Sequence, residues 1–204
     1  GDENQIKLST LNKLFGGGGF GTRLMQNLRE DKAYTYGAYS SLDVDRKGSY
    51  INAQGSFRNE VSDSAITQFL YEFNRITEEM VTEEELTLNK ASMAGSFART
   101  LESPRTIANF ALNTYRNDLP SDYYQTYLQK LSSVSEDDIM KMATSYITPN
   151  NLNIIVVGNK DVLESLKQFD ADGNIEIFDA FGDPKIENTL KPADITKKEV
   201  FENY

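Results

Sequence analysis

The sequence predicts an α+β fold, a two-layer sandwich in which helices pack on one face of a mainly antiparallel sheet. Three observations predict it. Segments rich in Tyr, Ser and Ile at 36–44 and 49–57 read as strands, the stretch from Ser62 to Ile147 is helical throughout, and a β-branched run at 152–157 follows it.

Ile6, Leu8, Leu11, Leu14 and Phe15 recur at helical spacing up to a glycine run, Gly16-Gly17-Gly18-Gly19-Phe20-Gly21. Leu24, Met25 and Leu28 continue that spacing after Thr22, a suitable N-cap, so two helices flank a glycine hinge. Tyr36 to Val44 and Ser49 to Phe57 pair across the turn-like Asp45-Arg46-Lys47-Gly48. Ile66, Phe69, Leu70, Phe73 and Ile76 form one helical stripe. Thr82 and Glu85 make a capping box for a helix running to Leu101, and Ser103-Pro104 opens the next, through Tyr115. Helices near 122–131 and 136–146 follow. Pro149-Asn150-Asn151 breaks the pattern, and Leu152 to Val157 reads as a buried strand ending at Gly158. A helix near 161–169 and a strand near 174–178 complete residues 1–182 as one domain, with 183–204 a linker or edge segment.

Composition removes several function classes. With 21 Lys plus Arg against 31 Asp plus Glu, the net charge of -10 repels phosphate backbones, so nucleic acid is not an expected partner. No apolar run approaches the ~18–20 residues that span a bilayer. The chain has no cysteine and no histidine. Disulfides are impossible, the compartment is left open, and neither a conventional catalytic zinc site nor a Ser-His or Cys-His pair can be built from this chain.

The glycines formally satisfy G-x-G-x-x-G through Gly16, Gly18 and Gly21, but the nucleotide fingerprint needs a strand before them and a helix precedes them here. Two readings remain: a plain turn between helices, or a loop whose bare backbone (Gly16, Gly17, Gly18, Gly19 and Gly21) lies against an extended peptide. Asp43-Val44-Asp45 begins like a calcium loop, but Lys47 and Gln54 occupy positions that need oxygen ligands of the carboxylate type. Asp170-Ala171-Asp172-Gly173-Asn174 is a turn.

Arg29, near the end of its helix, and Tyr36, at the start of a strand, could face a common space. A guanidinium suits a peptide carbonyl or carboxylate, and a Tyr hydroxyl can donate to an oxygen that becomes negative as a carbonyl is attacked. The bland alternative is a surface Arg pairing with Glu30 or Asp31 and a Tyr in a sheet.

Leu28-Arg29 with Tyr36 seven residues on resembles the carboxyl-terminal, zinc-free half of insulinase or pitrilysin-type metallopeptidases. Leu11-Asn12-Lys13-Leu14-Phe15-Gly16-Gly17, Arg23-Leu24, Thr82-Glu83-Glu84-Glu85-Leu86 with Lys90, and Asn151-Leu152-Asn153 to Gly158 resemble that family in the same order. Ala33-Tyr34 departs from its pattern. The resemblance implies that Arg29 and Tyr36 assist transition-state stabilisation, that the glycine run approaches a peptide substrate, and that zinc resides in a complementary half, in the same polypeptide or in a partner subunit. It implies inactivity for this chain alone and a setting in a bacterial periplasm or cell envelope. The alternative within the same fold is a non-catalytic peptide-binding or scaffold module. Residues 1–5 are too few and too polar for the strand expected before the first helix, so an amino-terminally truncated fragment is expected.

Overall fold

Burial of helical stripes, rather than sheet extension, organises the core. The computed structural model describes residues 4–44 and 48–184. Its contacts divide the chain into two compact units, Gly1–Val162 and Leu163–Tyr204. Residues 163–182, expected within the main domain, thus fall in the second unit. The edge segment expected at 183–204 lies outside the described residues beyond Pro184.

In the first unit, helix α1 spans Gln5–Asn12 and widens into a π-helical turn at Lys13–Gly17. Helix α2, Arg23–Met25, continues as a π-helical segment at Gln26–Asp31. Strands β1, Ala38–Val44, and β2, Ser49–Gly55, form an antiparallel pair in which Ala38 faces Gly55 and Leu42 faces Ile51. Both strands are shorter than expected. Thr35 ends them: its hydroxyl donates to the Ser56 carbonyl at 2.7 Å and accepts from the Gly37 amide at 3.1 Å, replacing ladder bonds. Residues 45–47 of the connecting turn lie outside the described residues.

The helical middle follows the pattern closely. Helices α3 (Ser62–Glu78), α4 (Glu83–Thr100), α5 (Pro104–Arg116), α6 (Tyr123–Ser132) and α7 (Glu136–Tyr146) all form. Local chemistry fixes their starts. Thr82 accepts from the Glu85 amide while Glu85 reaches back to the Thr82 amide, and Ser135 and Asp138 repeat that reciprocal arrangement. The core gathers Leu11, Leu14, Phe15, Leu24 and Leu28 from the first helices, Phe73 and Ile76 from α3, Leu86 from α4 and Ile139, Met142 and Ala143 from α7. Phe15 and Phe73 meet at its centre with ring centroids 4.8 Å apart. By contrast α5 buries no residue, and Ile107, Leu112 and Tyr115 are exposed.

Two expected strands do not form. Residues 152–157 have no ladder partner among the described residues, and their β-branched side chains are largely exposed instead of buried. A β-branched run becomes a strand only when another strand satisfies its amides and carbonyls, and the described sheet has two strands. In the second unit, residues 174–178 contribute one isolated bridge, Phe178 to Pro184. The helix expected near 161–169 divides into a 3-10 turn at Lys160–Val162, helix α8 at Leu163–Leu166 and a second 3-10 turn at Lys167–Phe169. The acidic segment after it is a turn: the Asn174 amide donates to Asp172 Oδ1 at 2.8 Å, with Gly173 at a φ of +75°. Among the described residues no helix is long and apolar enough to cross a membrane.

Helix α1 is tied to α7 by one half-buried ion pair, Lys7 Nζ to Asp138 Oδ1 at 2.6 Å. Burial pushes the Asp138 carboxyl up, but the Lys7 hydrogen bond and the Ser135 amide outweigh it and hold the group below the ordinary range. A depressed folded-state value means that the stabilisation is present above the unfolded value and is lost as pH falls through the folded one. Lys7→Met is therefore expected to cost about 0.5–1 kcal/mol near neutrality. The gap between variant and parent should close below about pH 4 in urea titrations at a series of pH values.

Candidate functional site

Gly16, Gly17 and Gly18 are glycine because their own chain crowds them. A Cβ on Gly16 would lie 2.6 Å from the Ser40 amide nitrogen and 2.7 Å from Leu24 Cδ1, on Gly17 2.5 Å from Asn12 Nδ2, and on Gly18 2.5 Å from the Lys13 carbonyl oxygen. The π-helical end of α1 is thus pressed onto β1, where Ser40 Oγ also donates to Asn12 Oδ1 at 2.7 Å. Gly19 and Gly21 are different. Neither would meet any atom within 4 Å, and Gly19 has a φ of +92° that side chains resist. Of the glycines expected to approach a peptide, these two border open space.

Thr22 restarts the helix. Its hydroxyl accepts from the Met25 amide at 3.4 Å, placing Leu24, Met25 and Leu28 inward and Arg29 at the half-exposed end. Beneath that helix lies a buried polar lock that the sequence pattern did not reveal. Asn27 Nδ2 donates to Glu72 Oε1 at 2.7 Å, and Arg75 Nη1 approaches the same oxygen at 3.5 Å. Beside it, buried Arg23 sits 3.5 Å from Glu85 Oε1 and donates from Nη2 to the Met80 carbonyl. Glu85 is held low against the upward push of burial by its Thr82 hydrogen bond and by Arg23. Asn27 and Glu72 each sit mid-helix, where an isolated polar residue reads as solvent-facing, so only a three-dimensional pairing could have revealed them.

The helix ends on Ala33, whose φ is +52°. The Ala33 amide donates to the Arg29 carbonyl at 3.1 Å and the Tyr34 amide to the Leu28 carbonyl at 2.9 Å, an αL-type cap with Ala in the left-handed position that glycine usually occupies. This sharp exit throws the chain toward Tyr36, which is 97% exposed. Tyr36 lines an open cavity of about 470 Å³ with Thr35, Gly37, Tyr39, Gln54, Gly55 and Ser56. Arg29 does not line it. Its guanidinium instead sits 4.5 Å over the Phe20 ring and 3.2 Å from Glu30 Oε1, so no recorded contact joins Arg29 to Tyr36. Phe20, within the glycine run, is the partner that spacing did not single out. Tyr34 packs against the core, leaving Tyr36 and Tyr39 as the aromatics at the cavity.

A second cavity of about 360 Å³ opens between α1, α4, α5 and α6, lined by Met93, Phe97, Phe110, Tyr123, Tyr124 and Tyr127 among others. Its rings stack on one another, Phe110 on Tyr124 at 3.7 Å and Phe97 on Tyr127 at 4.5 Å. Burial, with smaller contributions from the neighbouring tyrosines, pushes the Tyr123 hydroxyl up to about 12. No residue set here fits a catalytic metal: the chain lacks His and Cys, and among the described residues no group of three or more metal-ligating side chains converges.

Comparison with known proteins shows what this chain resembles. Residues 1–93, which contain the helix–glycine–helix–hairpin unit, match the family described as the Peptidase M16 inactive domain. The crystal structure of the peptidase M16 inactive domain from Pseudomonas fluorescens superposes with a TM-score of 0.67 at 25% identity, over 72% of this chain and 35% of that one. Over residues 1–93 the chain is similar to the M16 inactive domain, the zinc-free half of that peptidase family. A Helicobacter pylori relative, "Non-peptidase homolog YmxG", is 25% identical over 146 residues, 71% of this chain and 33% of that protein. The periplasmic protease PqqL of Escherichia coli shares the fold, with a TM-score of 0.57 at 18% identity over 71% of this chain and 16% of that one. The chain spans about a third of the length of the first two of these proteins.

Two substitutions separate packing from openness. Gly16→Ala should destabilise by about 1–3 kcal/mol because backbone at Ser40 cannot give way, whereas Gly21→Ala should be close to neutral. Urea midpoints of the two variants check this. Asn27→Ala, which leaves the buried Glu72 carboxylate short of a donor, should cost about 2–3 kcal/mol in the same measurement.

Proposed function

We propose that this chain acts as the zinc-free half of an insulinase-type zinc endopeptidase, closing over an extended peptide and assisting its hydrolysis through Tyr36 and Arg29. The exposure of Tyr36 carries the reading. Its ring stands almost wholly in solvent beside a concave, polar-rimmed space, on backbone pinned by Thr35. A large aromatic left out of the core forgoes about 1.5–3 kcal/mol of burial, a cost that presenting a hydroxyl to another molecule explains. That phenol is a hydrogen-bond donor suited to the oxygen of a peptide carbonyl, and most so when charge gathers there.

Arg29 plays the holding part. Its fork has five donors, and pairing one terminal nitrogen with Glu30 leaves others for a substrate carbonyl or carboxylate. Stacking on Phe20 ties that guanidinium to the glycine loop, so a peptide passing Gly19 and Gly21 would meet both. The hydrolytic centre belongs to a complementary zinc-bearing half, in cis or in trans, since this chain offers no imidazole or thiolate.

A second reading is a non-catalytic peptide-binding or scaffold module. The engagement of Arg29 by Glu30 and Phe20 favours it, as does the description of the Helicobacter relative as a non-peptidase homolog. In the assembly with the zinc-bearing half, Tyr36→Phe is expected to lower turnover about a hundredfold while KM and assembly stay unchanged. Unchanged turnover removes Tyr36 from the chemistry and leaves the scaffold reading.

A further inference from the structure

The aromatic cavity between α1, α4, α5 and α6 shares no lining residue with the cavity at Tyr36. Phe97 on α4, Phe110 on α5, and Tyr124 and Tyr127 on α6 make a continuous ladder of half-buried rings along it. Phe110 lies 3.7 Å from Tyr124 with the ring planes 6° apart, and Phe97 joins Phe110, at 5.9 Å and 6°, to Tyr127, at 4.5 Å. Helix α5 buries no residue of its own, so this ladder keeps apolar area in water that a flat apolar body could cover. The space measures about 360 Å³, in the lower part of the ~300–1,000 Å³ range of small-ligand sites. That size takes a small molecule rather than a length of chain.

The polar lining selects the ligand's charge. Among the described residues Lys13 is the one charged side chain in the lining and no carboxylate contributes, although the chain carries a net charge of -10. Lys13 Nζ donates to the Gly17 carbonyl at 2.6 Å, and an ammonium with three donors has others to offer an anion. A second ammonium, Lys130 Nζ, sits 5.7 Å over the Tyr123 ring of the same lining. Burial pushes the Tyr123 hydroxyl up to about 12 and raises Tyr127 as well, so neither phenol adds negative charge near neutrality. A cage for a quaternary ammonium turns ring faces to one centre, whereas these rings cover one another and two ammonium groups repel a cation. A second copy would bring another net charge of -10 against this one. We propose that this cavity binds a small planar aromatic carboxylate, its ring system laid against the Phe97, Phe110 and Tyr124 ladder and its anion held by Lys13. The site holds or fails independently of any role of Arg29 or Tyr36.

Methyl NMR on the 204-residue chain with labelled methionine tests it, because Met93 lines the cavity while Met25, Met80, Met140 and Met142 do not. Naphthoate should shift the Met93 methyl selectively and saturably, with a Kd on the order of 100 μM. Neutral naphthylmethanol should bind about 5–10-fold more weakly, and cationic naphthylmethylammonium more weakly still. Lys13→Gln should weaken naphthoate by about 5–10-fold and leave naphthylmethanol within about twofold. Ser96→Trp, at an exposed lining position of α4, should fill the space and abolish the shift while the Tm stays within about 3 °C. The absence of a saturable Met93 shift below about 5 mM naphthoate overturns the site. A shift shared equally by Met25 and Met142, or one that persists in a folded Ser96→Trp variant, does the same. Equal affinity for the three probes, or normal naphthoate binding by Lys13→Gln, overturns the assignment of a carboxylate. A Met93 signal that moves with protein concentration alone, together with sedimentation as a dimer, means that a second copy covers the space and overturns the ligand.

Discussion

Gly16 has no room for a side chain, and the seating of the end of α1 against β1 and α2 depends on that. The last turn of α1 can rest on β1 only because the backbone at Gly16 meets the Ser40 amide directly, and Ser40 then bonds to Asn12 across the same contact. Widening the turn to π geometry keeps Leu14 and Phe15 in the core while the chain closes on the strand. Thr22 can then cap the next helix, and that helix delivers Arg29 in its last turn and the left-handed exit at Ala33 just beyond it. The part of the chain that matches the M16 inactive domain, residues 1–93, contains this whole sequence of contacts.

The helical middle was legible because its signals are local. Capping residues, a first-turn proline and a 3.6-residue stripe act within one element, so Thr82, Glu85 and Pro104 carry their meaning wherever the helix packs. The glycine run was half legible. Sequence shows that bare backbone is needed, but whether a ligand or the chain itself comes close depends on what lies across from it, and at Gly16 that is Ser40. The run at 152–157 shows the opposite limit: its pattern is that of a strand, but strand formation is a property of a pair.

The Arg29 and Tyr36 pair was legible as residue types at a spacing, not as a geometry. Spacing along a helix and a turn says little about where a long guanidinium goes, and Arg29 finds its nearest stabilising partners in Glu30 and Phe20. Such a pair costs little to rearrange. An exposed ion pair contributes about 0–1 kcal/mol and a surface cation–π contact about 0.5–1 kcal/mol. A substrate group desolvated against the same guanidinium could offset both, so the resting position of Arg29 is weak grounds against a binding role.

The buried polar groups beneath that helix are different in kind. Glu72 is 1% exposed, and one of its oxygens, along with Asn27 Oδ1 and two nitrogens of Arg23, finds no hydrogen-bond partner among the described groups. Each unsatisfied buried atom costs on the order of 1–3 kcal/mol, so apolar residues of similar volume could make this layer more stable. What the polar layer supplies instead is direction. Asn27 must face Glu72 on α3, and Arg23 must face Glu85 and the Met80 carbonyl, so the helix cannot rotate or slide by a residue without stranding a charge. Apolar packing alone would tolerate such slips. The rotation of this one helix decides whether Arg29 leaves the core on the side of Phe20 and the open glycines, so the layer trades stability for a fixed aim of the guanidinium.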